Sequence, residues 1–247
     1  MDWLRAAESI RNTMGHNHMN EQPNVYERGN IPDEERKRLE QFEYPLHVST
    51  QVLGEDLSQK RVLDIGAGPN TKLGEFVQNH GGHYAALDIS QPFLAAQQGK
   101  GFDAVQGTAV ELPIGTETAD IVHMRFVLMH LSPEARARAI TEAFRAGKER
   151  VIFVDFSRRD MQGSQAIKCY FDFQIAMMHR LGIEPFMGEK LGNEVKQVLT
   201  GEANARISER VFQEGKGNFY HELLPLIAME RKIYARLNNT VLSAEFD

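Results

Sequence analysis

Five short apolar runs, Val62–Ile65, Tyr84–Leu87, Ala104–Val105, Ile121–Met124 and Val151–Phe156, recur along the middle of the chain, with helical patterns between most of them. Runs of this length bounded by turn residues read as strands, and strands alternating with helices imply parallel pairing. The expectation is an α/β protein built on a doubly wound, mostly parallel sheet, whose ligand lies beyond the carboxyl ends of the strands. Those ends carry Asp64 and Gly66, Asp88, Gly107 and Thr108, Met124 and Arg125, and Asp155 to Ser157.

The first strand runs into RVLDIGAGPNTKLGEF, Arg61 to Phe76. The apolar run stops at Gly66 and Gly68, and a helical pattern of Leu73, Phe76 and Val77 begins, which reads as strand, tight turn and helix. Glycines allow a ligand to approach the backbone closely, and the free N–H groups of a helix start face the space beyond the strand. Glycines at 66, 68 and 74 depart from the GxGxxG spacing that holds a dinucleotide pyrophosphate, so a nicotinamide-dependent oxidoreductase is the weaker alternative.

With Asp64 ahead of the turn, this stretch resembles motif I of the class I S-adenosylmethionine-dependent methyltransferases, DxGxGxG, with Asn70 in place of the last glycine. Asn adopts positive φ more readily than other residues with a side chain, so the turn is expected to survive the exchange. The resemblance extends from 61 to 157 and is of the small-molecule, methyltransferase type 11 kind. It implies a Rossmann-like methyltransferase fold, S-adenosylmethionine as cofactor and S-adenosylhomocysteine as product. Asp64, Gly66, Ala67 and Gly68 would then face the methionine part, and Asp88, Ile89 and Met124 would lie along the cofactor. A carboxylate at 88 can accept hydrogen bonds from both ribose hydroxyls, or else cap the following helix. Thr108 stands where the family's adenine-binding acid usually stands, with the N–H of Ala109 beside it. Asp120, opening the fourth strand, is structural by the same resemblance.

Residues 1–57 read as an N-terminal helical cap or lid, and 58–247 as the cofactor-binding domain with a helical cover at about 160–200. The cap helix starts at Asp33, after Pro32, with acids in its first turn, and Pro45 interrupts it. By analogy with the family's lid, Tyr26 and Arg38 close over the methionine end. Ser132-Pro133-Glu134 is a helix start and Gly147 a stop. Beyond Ser157 the rhythm breaks into a helical insertion. Gln165 to Leu181 is apolar on most sides and either packs deeply or covers a cavity; Tyr170, Phe173 and Met177 would there meet an apolar substrate, with Arg125 at the strand end. A further helix in GIEPFMGEKLGNEVKQVL, a strand in ARISERVFQEG and a closing helix from Leu223 to Leu237 complete the pattern.

The function implied is methyl transfer to an oxygen, nitrogen or carbon nucleophile of a small molecule. A sulfonium methyl is already electrophilic, so the protein has mainly to align the nucleophile and exclude water. Where a proton must leave, His130 and His179 are the candidate bases, since histidine titrates near neutrality. The alternative is the same cofactor-binding fold recruited for non-methyl chemistry such as cyclisation. With 28 basic against 34 acidic residues the net charge is −6, which argues against a nucleic-acid partner. The single cysteine, Cys169, suits a reducing cytoplasm and makes neither an internal disulfide nor a cysteine-rich metal site. His16 and His18 lack companions at ligand spacing, so no metal is expected. Charges at Asp2, Arg5 and Glu8 rule out a signal peptide at the start, and no apolar run is long enough for a membrane span. A leader of this length can close its own active site or, in a homodimer, a neighbour's.

Overall fold

The computed structural model describes residues 33–41, 46–156 and 165–200, with the side chains of 33–35, 41, 165–171 and 177 excepted. Tyr26, the late strand and the closing helix lie outside the described residues. The elements in chain order are α1 (Asp33–Gln41), α2 (Leu46–Leu53), β1 (Arg61–Ile65), α3 (Lys72–Asn79), β2 (His83–Asp88), α4 (Gln91–Gly99), β3 (Asp103–Gln106), β4 (Ala119–Arg125), a 3-10 turn (Leu128–His130), α5 (Pro133–Ala146), β5 (Gly147–Val154), α6 (Gln165–Arg180) and α7 (Met187–Val198).

All five strands pair in parallel in the order β3-β2-β1-β4-β5. The order reverses between β1 and β4, so the crossovers leave a crevice there at the carboxyl ends. Strand alternation sorts the core into two faces. Val62, Tyr84, Ala86, Ile121 and Ile152 pack with Leu53, Leu57, Leu73, Val77 and Leu94 on one face. Leu63, Ile65, Leu87, Val122 and Met124 pack with Ala139, Ile140, Ala143, Met187 and Val195 on the other. Each fully buried aliphatic side chain contributes about 1.5–3 kcal/mol, so the sheet centre dominates stability. No helix covers the β3-to-β4 crossover; Ala109, Leu112 and Ile114 fill the second face in its place.

Pro45 lies outside the described residues; Ser132 caps α5, as the sequence implied, by accepting from Ala135 N at 3.3 Å. β5 begins earlier than its apolar run, because its first residues, Lys148, Glu149 and Arg150, are exposed charges and break the apolar pattern. At the amino ends Asp120 accepts from Arg61 Nε at 3.1 Å, Arg61 Nη2 at 3.0 Å and the Arg61 backbone N at 2.9 Å, fastening β4 to β1. Arg61 holds that carboxyl down at about 2.

Candidate active site

The turn after β1 is shaped by two left-handed glycines, Gly66 (φ 68°) and Gly68 (φ 64°). A Cβ on Gly66 would overlap Val127 Cγ2, so only glycine lets the loop after β4 come this close. Asn70 is not left-handed, contrary to the expectation from its place in the motif. It acts through its side chain instead: Oδ1 accepts from Lys72 N at 3.0 Å, opening α3, and Nδ2 donates to the carbonyl of Glu40 in α1 at 3.2 Å. Gln97, fully buried in α4, donates to the carbonyls of Gly68 at 2.9 Å and Asn70 at 3.0 Å. An amide in an amphipathic helix carries no motif signal, so nothing in the sequence marked it.

Asp88 closes the turn from the β2 side. Its Oδ2 accepts from Gly68 N at 2.9 Å and its Oδ1 from Ser90 N at 2.8 Å. Ser90 is the N-cap residue of α4, yet its side chain makes no capping bond, and its Oγ is buried without a partner. Burial raises the Asp88 carboxyl to about 6, only partly offset by the backbone donors. Each oxygen carries one backbone donor and has room for another, which is what a pair of vicinal hydroxyls supplies.

Asp64 lies one layer below. Its Oδ1 meets His123 Nδ1 at 2.8 Å and its Oδ2 accepts from Tyr84 OH at 2.8 Å, while His123 Nε2 meets Ser49 Oγ at 2.9 Å. Because Asp64 can only accept, the network assigns the ring proton to Nδ1 and lets Ser49 donate to Nε2. Ser49 and His123 are fully buried, so the chain of bonds ties α2, β4, β1 and β2 together beneath the turn. The sequence brought Asp64 forward alone; its partners, Tyr84 and His123, come from two other strands.

Further along the edge, Gly107 N donates to the carbonyl of Asp88 at 3.1 Å and holds the end of β3 to β2. Thr108 and Ala109 follow, with Thr108 Oγ1 accepting from Val110 N at 3.4 Å. Ile89 is half-buried, and its carbonyl accepts from Gln106 Nε2 at 3.0 Å. Met124 is fully buried in the second core face rather than open at the edge. Arg125 ends β4; its Nη1 is buried and meets no hydrogen-bond partner. Phe126 then takes φ 56°, a strained conformation for a residue with a side chain, and stacks on Phe156 with centroids 4.1 Å apart.

His130 ends the 3-10 turn, half-buried, and loss of hydration lowers its pKa to about 4. Asp155, one residue past β5, has Oδ1 accepting from Phe156 N at 3.0 Å, while Oδ2 is buried without a partner; burial raises its pKa to about 7. His179 is exposed in the last turn of α6, whereas Phe173 of the same helix is half-buried. Arg38 is half-buried at the end of α1, two residues before the carbonyl that receives Asn70. Among the described residues, no group of three or more His, Cys, Asp or Glu side chains could hold a metal. Nor is any helix there long and apolar enough to cross a membrane.

Residues 63–154 match the family model of a methyltransferase domain. None of the curated proteins matches this chain. Among solved structures, the chain is similar to Haemonchus contortus phosphoethanolamine N-methyltransferase 2 in complex with phosphomonomethylethanolamine and S-adenosylhomocysteine, at 16% identity and a TM-score of 0.52, over 70% of this chain and 43% of that one. It is also similar to a chain of the Haloferax volcanii complex between the Trm112 methyltransferase activator and a methyltransferase, at 12% identity and a TM-score of 0.55, over 72% of this chain and 77% of that one. A Bacillus halodurans methyltransferase aligns at 19% identity with a TM-score of 0.46, over 57% of this chain and 62% of that one. The chain thus spans less than two thirds of the Bacillus and Haemonchus chains. The matched span, 63–154, carries the parallel sheet and the glycine turn clasped to Asp88, and over that span the chain is similar to a methyltransferase domain.

Proposed function

We propose that this protein transfers the methyl group of S-adenosylmethionine to an oxygen, nitrogen or carbon nucleophile of a small molecule, releasing S-adenosylhomocysteine. The observation that carries the proposal is the clasp of Gly68 N on the buried carboxylate of Asp88 at the carboxyl end of β2. Bound there, the cofactor supplies an electrophilic sulfonium methyl. The chain's own residues have to hold it, align the nucleophile and keep water out.

Asp88 receives the ribose hydroxyls, with Ile89 beside it. The backbone from Gly66 to Gly68 lies against the cofactor, and Thr108 and Ala109 meet the adenine. Arg38 is the cap residue for the methionine end, and Tyr26, outside the described residues, is its companion by analogy with the lid. The acceptor is taken at the ends of β4 and β5, with Phe173 of α6 as its described apolar contact and Tyr170 and Met177 as the further candidates from the sequence. A histidine lowered to about 4 is neutral at pH 7 and a weak base, so His130 serves as a hydrogen-bond partner for the acceptor. Asp155, near 7, is better matched to take a proton from a hydroxyl or ammonium acceptor. His179 is exposed and serves only if α6 closes over the site. The net charge of −6 favours a small molecule over nucleic acid, and Cys169 suits a reducing cytoplasm.

Calorimetric titration with S-adenosylmethionine, S-adenosylhomocysteine and NAD tests this directly. Binding of both sulfur nucleosides, abolished by Asp88→Ala, supports the proposal; preference for NAD, or no binding of any, overturns it. Mass spectrometry of turnover mixtures then separates methyl transfer, which releases S-adenosylhomocysteine, from cyclisation, which leaves the cofactor intact.

A further inference from the structure

We propose that Arg125 anchors the carboxylate of the cofactor's amino-acid end from within the sheet, so that this end is gripped by β4 and not by the cap. The inference rests on the cofactor assignment above and deepens it.

Register sets the geometry. Ile65 pairs with Leu87 on one side and with Met124 on the other, so Gly66 stands level with Asp88 and Arg125. A carboxylate and a guanidinium therefore flank the glycine turn at the same height, each one strand away, a separation of about 10 Å between backbones. The cofactor presents the matching pair of polar groups: a diol that donates and a carboxylate that only accepts. Asp88 suits the diol, and arginine, a donor without acceptor capacity, suits the carboxylate.

Arg125 also has an unmet need. Its Nη1 is buried without a hydrogen-bond partner, and no ion pair of Arg125 forms among the described residues. Asp64, the carboxylate whose charge acts on Arg125, has each oxygen engaged, by Tyr84 and by His123. Leaving a charged donor unpaired in the interior is costly, and an arriving carboxylate removes that cost. Phe126, held left-handed with its backbone N donating to the carbonyl of Val154 at 2.9 Å, fixes the chain immediately after Arg125. The backbone that carries Arg125 is thus set before any ligand arrives.

The test compares S-adenosylhomocysteine with 5′-methylthioadenosine, which keeps the nucleoside and lacks the amino-acid end. Calorimetry is run on the wild type, Arg125→Met, Arg125→Lys and Arg38→Gln. Arg125→Met is expected to weaken S-adenosylhomocysteine about tenfold to a hundredfold while leaving 5′-methylthioadenosine within about twofold. Arg125→Lys keeps the charge without the fork and should fall between, which guards against a variant that merely misfolds. The ligand-free melting temperature of Arg125→Met should not drop, since an unpaired buried charge has been removed. Equal loss of both ligands in the Arg125 variants, or a selective loss confined to Arg38→Gln, overturns the anchor. Failure of the wild type to bind either ligand would instead overturn the cofactor assignment itself.

Discussion

Gly68 donates its backbone N–H to Oδ2 of Asp88 across 2.9 Å, so the turn that follows β1 is held by the last residue of β2. The same carboxylate that would receive a ribose therefore also shapes the loop against which the cofactor lies. Asp88→Asn, which keeps one acceptor oxygen and loses the charge, is expected to reduce S-adenosylhomocysteine affinity about tenfold to a hundredfold by calorimetry. An affinity unchanged in this variant would show that the ligand does not use Asp88.

The carboxyls of Asp88 and Asp155 are raised to about 6 and about 7, chiefly by burial, from about 3.9 in the unfolded chain. The native state then holds more protons than the unfolded state above about pH 4. Their contribution to stability is therefore fully present below that pH and is lost as pH rises through 6 and then 7. The ligand-free melting temperature should fall less between pH 5 and 7 in the Asp88→Asn/Asp155→Asn double variant than in the wild type. Ligand hydroxyls that favour ionised Asp88 reverse the sign for binding, so S-adenosylhomocysteine should bind more tightly at pH 7 than at pH 5, with proton release.

His130 has the opposite sign. Burial lowers its pKa to about 4, so the contribution of this histidine to stability is present near neutrality and lost as pH falls through its unfolded value of about 6.5 toward 4. A proton NMR titration, with His130→Gln supplying the assignment, should show one imidazole with a midpoint near 4. A midpoint close to 6.5 would mean that water reaches the ring and would restore His130 as a base at neutral pH.

Gln97 carries the carbonyls of Gly68 and Asn70 on one amide nitrogen. Gln97→Leu preserves volume and leaves both carbonyls without that donor, at a cost of about 1–3 kcal/mol for each one left unsatisfied. Chemical denaturation should show that loss, and cofactor affinity should fall with it because the turn loosens. Unchanged affinity at lowered stability would separate Gln97 from the site.

Gly66→Ala adds strain at φ 68° and an overlap with Val127 Cγ2. Val127→Ala removes the overlap and not the strain. In a double-mutant cycle by denaturation, the pair should lose less than the sum of the single variants, with a coupling on the order of 1 kcal/mol. Strict additivity would show that the two positions do not meet.

The sheet, its parallel order and the turn after β1 were legible because each depends on a local pattern: apolar runs of strand length, glycines at a break, and Ser132 with Pro133 at a helix start. Asp88 and Arg125 could be placed at the ligand edge from strand ends alone. Local pattern failed where side chains bond across elements. Asn70 was expected to stand in for a glycine by its backbone, and it works through its amide to α1. β5 hid its first half because its opening residues, Lys148 to Arg150, are exposed charges.

Sequence by itself determined where the strands run and end, since apolar alternation along a strand and the point where it stops are short-range properties. Only the tertiary structure decided what each was free to do there. Asp64 has both oxygens engaged by Tyr84 and His123 from neighbouring strands, whereas the buried Nη1 of Arg125 and Oδ2 of Asp155 meet no partner. The availability of a buried polar group depends on how many of its bonds the fold has already satisfied, and those bonds join residues far apart in the chain.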